Sequence, residues 1–495
     1  MKKKITFVLV FVLLAGFVAF QPLFAKGIDE NRGFAAVTAP EAKAKYVFLF
    51  IGDGMSIPQV TSAGIFSTAR SSQDISPTYL EFAQFPVMGI AATHDAGSFI
   101  TDSASAVTAI ATGNKTLNGV INMDTGKTIG YKTIAEYARN AGMKAGVITT
   151  VTLNHATPAG FYARADSRNN FYDIAVQLAN SGFEYFGGGS IDQSTGIDND
   201  QQSAIEIAKA NGYTYTDTIE DFNALKPGTG KVIAVSPVLQ DAGTMKYEID
   251  RKPGELSLAD FVKKGVELLE NPDGFFMMVE GGKIDWACHA NDAGTAIRDV
   301  LALDDAVRVA IDFARKHPHE TLIVVTGDHE TGGMSVGNSA TQYGTFFDKI
   351  ALQTRSFVAF NEEVLKPYKE QTPADKAKLS DIAPFIYESF GINFDSLNTI
   401  QMELVERAFQ RSMGVEPITP LNEDKYVLYG GYEPLTVKLT QILNQNAGIG
   451  WTSYSHTGLP VPVFAFGAYQ EIFTGYYDNT GIFYKLAAAM DLPVE

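Results

Sequence analysis

The chain has 495 residues, 45% of them hydrophobic and 19% charged, with a formal net charge of −17 at pH 7. That length accommodates one large α/β domain with insertions or two to three ordinary domains, and the composition excludes a disordered or low-complexity chain. The acidic balance argues against nucleic-acid and anionic-membrane partners, because polyanion binding depends on lysine and arginine contacts, and the one cysteine, Cys288, excludes an intramolecular disulfide.

In chain order, Lys2, Lys3 and Lys4 precede an apolar run from Ile5 to Phe20, and Leu23-Phe24-Ala25 offers a small-residue cleavage site. Residues 1–25 therefore read as a secretory signal peptide, with an uncleaved anchor as the alternative. No later stretch approaches the roughly 18 apolar residues of a membrane span. The expectation is an exported protein, periplasmic or secreted, with no stable membrane association after cleavage.

Several apolar runs then end in polar, glycine-containing turns, the pattern of buried parallel strands feeding loops. They are KYVFLFIGDGMS (45–56), KAGVITTVTLNHATP (144–158), GFFMMVEGGKID (274–285) and TLIVVTGDHETGG (321–333), with VPVFAFG (461–467) as a fifth. SLADFVKKGVELLE (257–270) lies between them with a helical apolar face, and Ser257 and Asp260 resemble a capping pair. Alternating strands and helices imply an α/β sandwich. From about Ser335 to Gly450 the texture turns helical with polar loops, which reads as an inserted cap.

In open α/β sheets the ligand site lies beyond the carboxyl ends of the strands, and Asp53, His155, Glu280, Asp285, Asp328 and His329 all fall there. Asp328-His329 suits a borderline metal such as Zn²⁺, or simply caps the next segment. Asp285 and His289, four apart, either share an ion or hydrogen-bond along one helix face. Cys288 in the same turn points away and reads as a buried structural thiol. His456 is a ligand or a loop histidine, and His317 and His319 read as surface residues at a helix end. TDSASAVTAIATG (101–113) is either a closely packed small-residue helix or the seat of a reactive serine.

Taken together, FIGDGMS, TDSASAVTAIATGNKTLNG, NHATPAGFYARADSR, FGGG, VEGGKIDWACH, VVTGDHE and SYSHTG, occurring in this order, make the chain resemble the alkaline phosphatases. The resemblance covers about Lys45 to Gly333 and again Trp451 to Gly467. It implies a three-layer α/β/α sandwich with a large, mostly parallel central sheet, in one catalytic domain (40–495) carrying the inserted cap (about 335–450). It further implies a phosphomonoesterase acting on small phosphate monoesters, exported if the N-terminal reading holds, with two Zn²⁺ and one Mg²⁺ per chain and, as often in that family, a homodimer.

Residue by residue, the resemblance makes Ser103 the nucleophile and Arg168 the phosphate clamp, with Asp102 holding the arginine. Asp285, His289 and His456 match one zinc site, and Asp53, Asp328 and His329 the second. Asp53, Thr157 and Glu280 match the third, magnesium, site. Two positions vary among family members: His155, a residue beside the third site, and Trp286, near the phosphate, where lysine, histidine or tryptophan occurs. A phosphodiesterase of the same superfamily typically lacks the equivalents of Glu280 and Arg168, and a sulfatase needs a C/S-x-P-x-R element that is not found around Ser103. A non-catalytic exported metal-binding protein would not need competent residues at every matched position.

Overall fold

A computed structural model describes residues 43–71, 78–416 and 423–494; the expected signal peptide and the start of the expected catalytic domain lie outside them. Ten strands form one sheet: β1 (Tyr46–Gly52), β2 (Val87–Ala92), β3 (Lys144–Thr149), β4 (Tyr185–Gly188), β5 (Tyr213–Thr216), β6 (Lys231–Val235), β7 (Phe275–Gly281), β8 (Thr321–Gly327), β9 (Val461–Gly467) and β10 (Gly475–Asp478). Their spatial order is β10-β2-β9-β8-β1-β7-β3-β4-β6-β5. The central strands β1, β7 and β8 are buried along their whole length, as expected of apolar runs covered on both faces.

Side-chain alternation assigns the faces. Val47, Leu49 and Ile51 of β1 share a core with Ala104, Val107 and Ile110 of helix α1 (Ser103–Thr112). Tyr46 and Phe48 point the other way, with ring centroids 5.0 and 5.7 Å from Phe313. Phe313 belongs to α4 (Ala293–Ala314), which packs beside α2 (Leu258–Leu269). Helices thus cover both faces of a mostly parallel sheet. The capping box expected at α2 forms, Ser257 accepting from Asp260 N–H and Asp260 from Ser257 N–H.

One strand departs from the sequence reading. VPVFAFG is a strand, but β9 runs antiparallel to both neighbours, β8 and β2. An apolar run reports burial and not direction. The reversal places the amino end of β9, preceded by His456, at the same end of the sheet as the carboxyl ends of β1, β7 and β8.

The segment from Ser335 to Gly450 begins and ends in a short antiparallel ribbon, Ser335 opposite Gly450 and Val336 opposite Ile449. It contains the helices Leu379–Phe390, Thr399–Ser412 and α5 (Pro434–Ala447). Buried polar groups tie it to the sheet domain: Gln353 Nε2 donates to Asp292 Oδ1 at 2.8 Å, Phe357 N to Asp292 Oδ2 at 3.0 Å, and Asn444 Nδ2 to Asn291 O at 2.6 Å. No helix among the described residues is long and apolar enough to cross a membrane.

Candidate metal and phosphate site

Strand register sets the positions of the acids. Gly52 of β1 stands opposite Gly281 of β7 and Gly327 of β8, so Asp53 and Asp328 leave adjacent strands at one level. Glu280 lies one residue earlier on β7, opposite Thr149 of β3, and accepts from the Thr149 hydroxyl. Glycine is required at Gly327, where a Cβ would lie 2.0 Å from the Met55 carbonyl oxygen. Gly54, with φ +72°, turns its N–H to Asp328 Oδ1 at 3.1 Å. Directly after β7, helix α3 (Lys283–His289) places Asp285 and His289 one turn apart.

Two contiguous sets of ligand-type atoms result. In the first, His289 Nε2 lies 3.3 Å from Asp285 Oδ2, His456 Nε2 3.5 Å from Asp285 Oδ1, and the two histidine nitrogens 3.2 Å apart. In the second, His329 Nε2 lies 3.2 Å from Asp328 Oδ2, 3.5 Å from Asp53 Oδ1 and 3.3 Å from Ser103 Oγ. Four ligands bound at 2.0–2.1 Å around a tetrahedral zinc are about 3.3 Å from one another, so both sets have the spacing such an ion requires. Asp285, His329 and His456 also come within 4.8 Å of one another, which joins the sets, and Asp53, His155 and Glu280 form a third group. Thr157 Oγ1 lies 3.4 Å from Asp53 Oδ2 in that group.

The other ring nitrogens show which way these histidines face. His289 Nδ1 lies 2.5 Å from the Tyr454 carbonyl oxygen and His456 Nδ1 2.8 Å from that of Thr101. An oxygen acceptor fixes a proton on each Nδ1, which leaves both Nε2 atoms as lone pairs when the rings are neutral. Two lone pairs at 3.2 Å need a proton or a metal cation between them. Asp53 Oδ1, Asp328 Oδ2 and Glu280 Oε1 are buried without a hydrogen-bond partner, each in a different position to meet a cation. The residues present therefore fit divalent ions.

Charge balance agrees. Burial, and then Asp328, Asp285 and Glu280, push Asp53 well above the usual carboxylate range. Burial and then Asp285 do the same to Asp328, and burial pushes Glu280 up to about 7. Burial would raise Asp285 too, yet His289, His456 and His329 hold it well below its ordinary value, and Asp285 overcomes burial to raise His289 to about 9. Four buried carboxylates at one place call for added positive charge, and a metal ion would compete with protons for the same atoms.

The phosphate side is built on α1. Asp102 is its N-cap, accepting from Ser105 N at 3.0 Å, so Ser103 occupies the first helical turn, where unpaired N–H groups and the helix dipole favour an anion. Arg168 donates from Nη1 to Asp102 Oδ2 at 2.9 Å, and its Nη2 lies 3.2 Å from His155 Nε2. Each terminal nitrogen keeps a second N–H. Burial and then Arg168 pull His155 down to about 3, so its ring is neutral and accepts. Asp102 is held below its ordinary value because Arg168 and the Ser105 N–H outweigh burial.

The Ser105 hydroxyl lies within donating distance of Asp102 Oδ1 at 2.8 Å and Asn118 Oδ1 at 3.0 Å. Cys288 is buried, as expected. His317 is half-buried rather than a plain surface residue, stacked on Phe313 at 4.5 Å, far from the site's chemistry.

A cavity of about 250 Å³ opens here, lined by Ser103, His155, Arg168, Asp285, His289 and His456. Two rings complete it, Trp286 and Tyr432. The sequence reading missed Tyr432, which comes from the inserted segment in a stretch, GGYEP, with no motif to mark it. Lys283, buried behind Trp286 with Nζ 5.0 Å from the indole, spends its charge on Asp241 at 2.5 Å.

Comparisons with known proteins converge. A family profile described as alkaline phosphatase matches residues 44–492. Alkaline phosphatase 3 of Bacillus subtilis (strain 168) is 31% identical over 484 residues, covering 94% of this chain and 93% of that protein. The crystal structure of a cold-active alkaline phosphatase from the psychrophile Shewanella sp. superimposes with a TM-score of 0.74 at 27% identity, covering 90% of this chain and 99% of that one. The alkaline phosphatase of the Antarctic bacterium TAB5, solved as a histidine-to-glutamate mutant with Mg bound in the M3 site, gives a TM-score of 0.63 at 25% identity over 92% of this chain and 100% of that one. With a family match over nearly all described residues and a shared fold, the chain belongs to the alkaline phosphatase family and is an enzyme of that class.

Proposed function

We propose that the enzyme hydrolyses phosphate monoesters by transfer of the phosphoryl group to Ser103. The observation that carries this reading is the position of Ser103 Oγ, 3.3 Å from His329 Nε2, at the start of α1 and inside the cavity that Arg168 also lines. Asp285, His289 and His456 would hold one Zn²⁺, Asp53, Asp328 and His329 the second, and Asp53, Thr157 and Glu280 one Mg²⁺, with His155 beside the last. When bound, such ions supply Lewis acidity, lowering the pKa of a ligated hydroxyl and neutralising charge that develops on oxygen.

The chain's own residues do the rest. Arg168, preset by Asp102 and His155, offers its remaining N–H groups to two phosphoryl oxygens, the bidentate pairing that suits guanidinium. The first turn of α1 adds N–H groups for the same anion. Ser103 Oγ then forms a bond to phosphorus as the ester P–O bond breaks, and the alcohol leaves with a proton. Water next cleaves the Oγ–P bond, returning the proton to Ser103 and releasing inorganic phosphate. An exported enzyme, supported by the basic-then-apolar N-terminus, and a homodimer, supported by the family resemblance, complete the reading.

The test follows p-nitrophenol release from its phosphate at pH 8 to 10, alongside a diester and a sulfate ester, with metal content measured on the same samples. Turnover of the monoester should vanish on chelation, return with zinc and magnesium, and fall by about a thousandfold or more in Ser103→Ala. Chelator-insensitive turnover, or a preference for the diester, would overturn the reading.

A further inference from the structure

Phosphoryl binding leaves two side chains of the cavity unused, the rings of Trp286 and Tyr432. They come from distant parts of the chain, one in α3 and the other just before α5, yet a continuous set of buried groups connects them. The Tyr432 ring meets Phe357 edge-on at 5.7 Å and 89°, and Phe357 meets Tyr247 at 5.7 Å. Lys283 Nζ lies 3.8 Å from the Tyr247 ring centroid and 5.0 Å from that of Trp286. Asp241 and Thr244 fix that ammonium group, at 2.5 and 2.9 Å. Trp286 is further steadied by His155, edge-on at 6.0 Å. The two rings are thus preset surfaces rather than loose side chains, and the Tyr432 hydroxyl, which burial pushes further above its ordinary range, stays neutral.

Two aromatic rings lining one cavity favour a planar alcohol over an aliphatic one, since aromatic contacts add about 0.5–1.5 kcal/mol beyond simple burial. At about 250 Å³ the cavity falls below the range of roughly 300–1,000 Å³ that holds drug-sized ligands. That space accommodates a phosphoryl group bearing one small ring.

We propose that Tyr432 is a specificity-determining residue that, with Trp286, binds the leaving alcohol of monoesters of small aromatic alcohols. The proposal rests on the phosphatase reading for the occupant of the polar half of the cavity. It is tested by calorimetry on the metal-loaded protein with two stable analogues, phenylphosphonate and methylphosphonate, and in parallel by turnover of phenyl phosphate and ethyl phosphate. Phenylphosphonate should bind about tenfold tighter than methylphosphonate, a gap of the size aromatic contacts supply. Tyr432→Leu should reduce that gap to about twofold and raise KM for phenyl phosphate in proportion, while Tyr432→Phe retains it. The ratio of kcat/KM for phenyl phosphate to that for ethyl phosphate should fall by the same factor in Tyr432→Leu.

Equal affinities for the two phosphonates in the wild type would overturn the proposal, and so would an equal loss for both ligands in Tyr432→Leu, which marks a merely structural ring. If no monoester is turned over and the phenyl preference still depends on Tyr432, the phosphatase reading fails and the aromatic subsite stands.

Discussion

Trp286 carries a residue-scale consequence. It lines the cavity proposed for phosphate with no charge of its own, and the nearby Lys283 is committed to Asp241. Trp286→Lys would add a cation facing the anion, and a partly solvated pair of this kind is worth about 1 kcal/mol. Inhibition by inorganic phosphate should then tighten about fivefold, read as the inhibition constant at fixed pH and salt; an unchanged constant would show that the cavity does not feel this position. The candidate site residues were legible in sequence because each is marked locally: Asp285 and His289 by an i,i+4 spacing, Asp53 and Asp328 by glycine turns at strand ends. What orients them was not. His289 and His456 are aimed by the backbone carbonyls of Tyr454 and Thr101, and any residue type carries a carbonyl. Tyr432 left no trace for a related reason: its place in the cavity comes from packing against Phe357, not from its neighbours in the chain.

Among elements, Asp292 is a shared polar anchor of the inserted segment. Asp292 is buried at the start of α4 and accepts from Thr295 N, Gln353 Nε2 and Phe357 N. Asp292→Ala would leave those donors buried and unpaired, a loss of about 3–5 kcal/mol. Urea denaturation should register it, and limited proteolysis should cut first within 335–450. At another contact, Asp304 of α4 accepts from Glu81 N at 3.0 Å and Phe82 N at 3.2 Å, yet burial pushes its carboxyl up to about 6.

A raised folded pKa means the folded state holds this proton more tightly. The contribution is complete below about pH 4, the unfolded value, and is lost as pH rises through about 6. The stability difference between wild type and Asp304→Asn should therefore shift against the wild type by about 2–3 kcal/mol from pH 4 to pH 7, measured by urea midpoints at each pH. Strand existence was legible in the long apolar runs, while the direction of β9 was not, since burial looks the same from either end of a strand. The shorter strands β4, β5 and β10, four residues each, are too brief for a periodic signal.

For the molecule as a whole, stability and metal content should be linked. The carboxylates of Asp53, Glu280, Asp285 and Asp328 are buried together, and ions that bind them only in the folded state stabilise it by about 3–4 kcal/mol per site at a hundredfold to thousandfold excess over Kd. Chelation should lower the thermal midpoint, zinc with magnesium should restore it, and Ser103→Ala should show the same shift, which separates ion binding from turnover. The reversed strand β9 has a further consequence, one of timing. Because it delivers His456 to a site whose first acid is Asp53, no growing amino-terminal piece of the chain holds the full ligand set. A chain cut before His456 would therefore keep the residues of the two groups built on Asp53 and lose only the one formed with Asp285 and His289, so its metal content should fall in part and not altogether.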